Sequence, residues 1–100
     1  ENCPDLRNTR VVDVVAELKE YDCQVDVYDP WVSAKEARDE YNIDLVEKPQ
    51  MGTYDSIILA VAHQQFKDMG VEGVHFLGRN THILYDLKYV FLSKDVDLRL

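Results

Sequence analysis

Apolar side chains at Val11, Val14, Val15 and Leu18 recur at the i, i+3, i+4, i+7 spacing of one helix face. This predicts a helix from Asn8 to about Tyr21, with Asn8 or Thr9 as its N-cap. Arg10, Asp13, Glu17, Lys19 and Glu20 form its solvated face. Asp22 stands where a glycine would ordinarily end such a helix, which calls for either a left-handed aspartate or a frayed end. The period then changes to two. Cys23, Val25 and Val27 alternate with Gln24, Asp26 and Tyr28, a strand that Asp29-Pro30 stops because proline has no ladder donor. Ser33 followed by Glu36 is a capping box, and Ala34, Ala37, Arg38 and Tyr41 carry a short second helix to about Tyr41.

Leu45-Val46 is at best a short edge strand, and Lys48 to Thr53, with Pro49 and Gly52, is a turn region. Ser56 to Ala62 is a continuous apolar run bounded by polar residues, the pattern of a strand buried on both faces of a parallel sheet and therefore central. His63 to Met69 reads as one short helix, Val71 to Leu77 is ambiguous, and Ile83 to Asp86 is a last strand. Alternating helices and strands without hairpin signals make the class α/β with a mostly parallel sheet. No internal repeat, low-complexity tract or linker interrupts it.

Composition narrows the partners. One hundred residues suit a single core, and 46% hydrophobic with 30% charged residues is ordinary globular composition. A net charge of −8 with dispersed Lys and Arg lacks the basic footprint that a nucleic-acid backbone needs. The longest apolar run, Ile57 to Ala62, is far short of the roughly 20 residues that span a bilayer, and no signal peptide precedes the first helix. A soluble, cytoplasmic chain that binds neither nucleic acid nor membrane is expected. Cys3 and Cys23 have neither metal-ligand nor CxxC spacing. Cys3 reads as a loop thiol and Cys23 as a small buried hydrophobe at a strand start.

Several residues could carry chemistry. Asp29, ending a strand, imitates the acid that holds the ribose of a dinucleotide. However, Gly52, Gly70, Gly73 and Gly78 all lie late, and no glycine-rich loop precedes the first helix, so Asp29 reads better as an acceptor of turn hydrogen bonds. Arg7 stands in a loop just before a helix N-terminus, where free N–H groups, the helix dipole and a guanidinium fork suit an anion. A surface pair with Asp5 is the plain alternative. His63 reads as a capping or satisfied polar residue, and His75 and His82 show no ligand spacing with it. Trp31 reads as a packing anchor at a domain or subunit contact.

The segment ENCPDLRNT resembles the loop x-[ND]-x-x-D-x-R-x-[ST] with which the UDP-glucose/GDP-mannose dehydrogenases enter the first helix of their C-terminal domain; Asn2, Asp5, Arg7 and Thr9 match it. VYDPWV, IILAVAH and YDLK follow in the family's order, and the ENCPDLRNT wording is most similar to the branch acting on UDP-N-acetyl-hexosamines. The resemblance implies that residues 1–100 are the C-terminal nucleotide-sugar-binding domain of an NAD-dependent 6-dehydrogenase, in a Rossmann-like three-layer α/β/α fold. The family's first strand and its lysine would lie before Glu1.

In this family the C6 hydroxymethyl of a nucleotide-linked sugar becomes a carboxylate by two hydride transfers to NAD, through a thiohemiacetal and a thioester on a cysteine. Neither Cys3 nor Cys23 matches that cysteine's motif, so no catalytic residue is expected here. The resemblance implies that Arg7 contacts the NAD pyrophosphate, that Asp5 orders the loop and holds Arg7, and that Lys88, in a D-x-[RK] after the last core strand, meets the UDP-sugar. The implied partners are the N-terminal NAD-binding domain of the parent chain and further copies in a homo-oligomer. The implied setting is surface polysaccharide synthesis.

Two other classes fit the length and acidity: a stand-alone α/β binding module and a pure dimerisation module. A receiver domain would need an acidic pair after its first strand, which the chain lacks. If the first strand is missing, Gln24 to Tyr28 and Ser56 to Ala62 should close onto each other or accept a strand from another chain.

Overall fold

A computed structural model describes residues 11–99, whose backbone divides into two compact units, residues 11–49 and residues 50–99. In the first, α1 (Val11–Glu20) buries Val15 and half-buries Val11, Val12, Val14 and Leu18, while Asp13, Glu17, Lys19 and Glu20 face solvent. The expected caps, Asn8 and Thr9, lie outside the described residues.

Asp22 ends α1 in the left-handed region at φ 63°. Its N–H reaches the Lys19 carbonyl at 3.0 Å, and the Cys23 N–H reaches that of Leu18 at 3.2 Å. This is the double closure that a C-terminal glycine usually permits. A short polar side chain tolerates that conformation better than a branched one. The same turn carries Cys23 outward. It is exposed, not the buried hydrophobe its alternation with Val25 and Val27 suggested.

The strand expected from Cys23 to Tyr28 is also shorter. Only Val27 pairs, in a single parallel bridge to Leu45, with the Val46 N–H on the Val27 carbonyl at 2.8 Å. α2 (Ala34–Tyr41) begins where expected, Ser33 Oγ accepting the Glu36 N–H at 3.0 Å, and it ends at a left-handed Asn42 (φ 56°). Val15, Val32, Ala37 and Ile43 are the buried core of this unit, with Val25, Val27, Tyr41 and Leu45 packed against them. The apolar positions of α1 thus find their burial locally, as an amphipathic helix must to be stable.

The second unit contains β1 (Tyr54–Leu59), α3 (Gln64–His75), β2 (Gly78–Asp86), a 3-10 turn (Ser93–Asp95) and β3 (Leu98–Arg99). Both ladders are parallel, with Ile57 opposite Leu84, Leu59 opposite Asp86, and Tyr85 opposite Leu98. β1, α3 and β2 therefore make a β-α-β unit, the repeating piece of Rossmann-like sheets, and the α/β class holds. Among the described residues the strand order is β1-β2-β3.

Two expectations change here, and one open reading is settled. β1 stops at Leu59, short of Ala62, and lies at an edge of this sheet, with burial that alternates where an even apolar run predicted two covered faces. The helix expected to end at Met69 is interrupted just there, because Gly70 takes the non-helical φ 73°, ψ 158° and kinks α3; the stretch left ambiguous after it is a second helical piece as far as His75. β2 begins at Gly78, earlier than Ile83, and it is not last, since the chain returns to place Leu98 and Arg99 beside it.

The β2 register makes a direct test. Leu84 is fully buried and Ile83 is 47% exposed, on opposite faces of the strand. Leu84→Ala should cost about 2–5 kcal/mol in urea denaturation. Ile83→Ala should cost less than about 1 kcal/mol, and equal costs would put the register wrong by one residue.

Candidate functional site

Parallel strands bring the carboxyl ends of β1 and β2 to the same edge of the sheet, the edge beyond which ligands of such sheets bind. The ladder closes there with the Leu87 N–H on the Leu59 carbonyl at 3.0 Å. β1 leads through Ala60, buried Val61 and His63 into the start of α3, while β2 ends at Asp86 and passes into the loop 87–92.

Asp86 is completely buried. One carboxylate oxygen accepts the N–H groups of Lys88 at 3.2 Å and Val90 at 3.1 Å; the other accepts that of Phe91 at 2.9 Å. A buried carboxylate is tolerated only when so satisfied, and here it also shapes the loop, because three backbone donors must converge on one point. Within that loop Lys88 is exposed and Tyr89 sits in the left-handed region at φ 54°. For an aromatic residue that is an uncommon conformation, of the kind that gathers at functional loops. Arg99, at the end of β3, lies over the Tyr89 ring with its guanidinium carbon 4.1 Å from the centroid. Two cations, Lys88 and Arg99, thus stand at the carboxyl ends of neighbouring strands in an otherwise acidic chain, an arrangement suited to phosphate oxygens.

Of the sequence-predicted residues, Arg7 and Asp5 lie outside the described residues. Lys88 lies exposed in the loop that follows β2. Asp29 has its turn role, with Oδ1 accepting the Trp31 N–H at 2.8 Å. Trp31 is 40% exposed. His63 occupies the N-cap position of α3, but it caps through its backbone carbonyl, which accepts from Phe66 at 3.1 Å; its ring is buried, 5.5 Å from that of Phe66.

Sequence reading missed Asp86 as the organiser of the loop, and Tyr89 with Arg99. Asp86 had a usable signal, an acid ending a strand ahead of a turn, the setting of side-chain-to-backbone turn bonds. The contact of Tyr89 with Arg99 had none, since it depends on a two-residue strand. His75 and His82, dismissed on spacing, meet ring to ring at 2.8 Å.

Among the described residues no group of three or more His, Cys, Asp or Glu could hold a metal ion, and no helix is long and apolar enough to cross a membrane. The connection from β1 to α3 contains no glycine, so the described residues do not fit the pyrophosphate of a dinucleotide.

Comparison with known proteins places the chain in a family. Residues 1–93 match the family described as UDP-glucose/GDP-mannose dehydrogenase family, UDP binding domain. The chain is 61% identical to a UDP-N-acetyl-D-glucosamine 6-dehydrogenase of Pseudomonas aeruginosa and 55% identical to one of Salmonella typhi, in each case over 100% of the chain and 24% of the relative. It is 31% identical to Protein CapL of Staphylococcus aureus, over 98% of the chain and 23% of that protein. The chain thus spans about a quarter of the length of these relatives. No solved structure matches significantly.

Asp86→Asn tests the loop's construction. An amide keeps one acceptor and turns an N–H₂ toward the donors served by the other oxygen. Stability should fall by about 1–3 kcal/mol, and the amides of Lys88, Val90 and Phe91 should exchange faster while those of β1 do not. Unchanged exchange at the three amides would show that Asp86 does not hold the loop.

Proposed function

The chain belongs to the UDP-glucose/GDP-mannose dehydrogenase family, matching its UDP binding domain, and from that premise we propose that it is the C-terminal nucleotide-sugar-binding domain of an NAD-dependent UDP-sugar 6-dehydrogenase. The substrate class is a UDP-N-acetyl-hexosamine oxidised at C6 to the uronic acid, for surface polysaccharide synthesis. The parent works as a cytoplasmic homo-oligomer, and its N-terminal domain provides the main seat of NAD. Identity of 61% and 55%, over the whole chain, to two UDP-N-acetyl-D-glucosamine 6-dehydrogenases supports this substrate class.

The observation that carries the reading is Lys88, exposed on a loop whose backbone is fixed by Asp86 at the carboxyl end of the middle strand. Its ammonium meets a phosphate oxygen of the UDP group. Arg7 adds a guanidinium to the cofactor's pyrophosphate, and Asp5 serves to orient it. The hydride acceptor and the reacting cysteine belong to other parts of the parent protein. This domain binds the nucleotide, remote from C6, and that binding energy holds the reacting carbon in line.

In the full-length protein, Lys88→Ala should raise KM for the UDP-sugar by roughly 10- to 100-fold, the worth of one charge-assisted hydrogen bond, with little change in kcat. An unchanged KM would remove the substrate role of Lys88. Arg7→Ala should weaken NAD binding while leaving UDP binding near that of the parent protein; equal NAD affinity would leave Arg7 as a surface residue.

A further inference from the structure

His75 closes α3 and His82 lies on β2, seven residues on in sequence and face to face in space. His75 Nδ1 is 2.8 Å from His82 Nε2, with the rings tilted by 54°. The outer nitrogens are also engaged: His82 Nδ1 is 2.6 Å from the Arg79 carbonyl oxygen and His75 Nε2 is 2.7 Å from the Asp95 carbonyl oxygen.

The protons on this chain of contacts can be counted. A carbonyl oxygen only accepts, so His82 Nδ1 and His75 Nε2 must each carry a hydrogen. If both rings were neutral, each would then have spent its single N–H outward. Two lone pairs would face each other at hydrogen-bond distance, which is repulsive. A third proton between the rings turns the same contact into an N–H···N hydrogen bond of ordinary length. A fourth would set two N–H groups against each other.

We infer that His75 and His82 share one proton, taken from solvent, and so form a pH-dependent clamp on the exit of the loop that carries Lys88. The clamp reaches the loop through Asp95, which closes the 3-10 turn with its own N–H on the Leu92 carbonyl at 3.0 Å. Asp86 holds the entrance of the loop and the histidine pair holds the far side of the turn that follows it.

The sequence around the pair fits this use. A Cβ on Gly78 would collide with the His82 ring at Cγ, so the ring's seat exists only because residue 78 is glycine. Charged groups lie on each element that meets the pair. α3 contributes Lys67, Asp68 and Glu72. β2 contributes Arg79, whose guanidinium is turned to Asp55 at 3.0 Å, and Asp86, whose carboxylate is taken up by the loop. The segment after the loop contributes Lys94, Asp95 and Asp97, the last with its carboxylate on the Leu84 N–H at 2.7 Å.

The clamp exists in one charge state and fails on both sides of it. As pH rises and the shared proton leaves, lone pairs face each other; as pH falls and a second proton arrives, two donors do. Histidine side chains in general change charge over about pH 5–8, which sets the range to search.

The test is nitrogen NMR of the intact protein labelled in its histidines, without nucleotide, so that it stands or falls separately from the role given to Lys88. A direct coupling between His75 Nδ1 and His82 Nε2 is expected near the middle of the range and should vanish toward either end. Protection of the Asp95 amide should pass through a maximum at the same pH. Gly78→Ala, which keeps both histidines in the sequence but drives its new Cβ into the His82 ring, should abolish both, while Gly73→Ala, whose new Cβ meets only Met69 Cβ at 3.5 Å, should leave both intact. Two neutral rings with no coupling at any pH in that range would overturn the shared proton. Coupling with Asp95 protection independent of pH would overturn the clamp.

Discussion

Three backbone N–H groups converge on the buried carboxylate of Asp86, and the architecture of the candidate site follows from that convergence. A carboxylate at the end of a middle strand has no water to turn to, so it must take its partners from the chain that follows. Taking them at Lys88, Val90 and Phe91 bends that chain into a tight loop and ends the strand. It also forces the intervening Tyr89 into left-handed backbone, where its ring becomes the platform for Arg99. One buried acid thus fixes where two cations stand.

The sheet beneath makes this possible. β2 is paired on both sides in parallel, so its end cannot slide without breaking the ladders to Leu59 and to Leu98 and Arg99. Leu84, fully buried two residues before Asp86, keeps the same face inward, and the strand's period of two carries Asp86 to that interior. The apolar register and the polar loop are therefore one constraint. Shifting the strand by a residue would expose Leu84 and Asp86 together, losing core packing and loop geometry at once.

What could be read from the sequence was local. The left-handed end of α1 at Asp22, the cap at Ser33, the turn around Gly52 and the parallel α/β class all follow from signals a few residues long. What could not be read depended on partners far along the chain. Val25 and Val27 alternate like a strand, yet strand length is set by the neighbour, and Leu45-Val46 supplies only one bridge. Cys23 has the right neighbours for burial but follows a helix stop that directs it outward. The apolar run from Ser56 looked central because periodicity cannot tell an edge from a middle. β3 is two residues long and leaves no pattern. The histidine pair was invisible for a geometric reason: His75 and His82 meet because the turn at 76–77 reverses the chain, not through any spacing along one element. Of the site, Lys88 was legible as a position in YDLK, whereas the reason it is held there was not.

The D-x-K spacing itself now has a physical content. The Asp86 carboxylate accepts the N–H of the very residue whose side chain carries the charge, so acid and cation two residues apart are the two halves of one device. A cation that must meet a phosphate loses affinity if its backbone has first to be ordered, since that cost is subtracted from the contact. Between Asp86 and Asp95 the backbone is tied by bonds that need no ligand, at the entrance by the carboxylate and beyond the exit by the carbonyl facing His75. In the function proposed above, the ordering cost left for a nucleotide is mainly that of the Lys88 side chain. Such a loop suits a domain whose task is to hold a substrate's nucleotide still while chemistry proceeds on another part of the molecule, because precision at a remote carbon requires rigidity where the nucleotide is gripped.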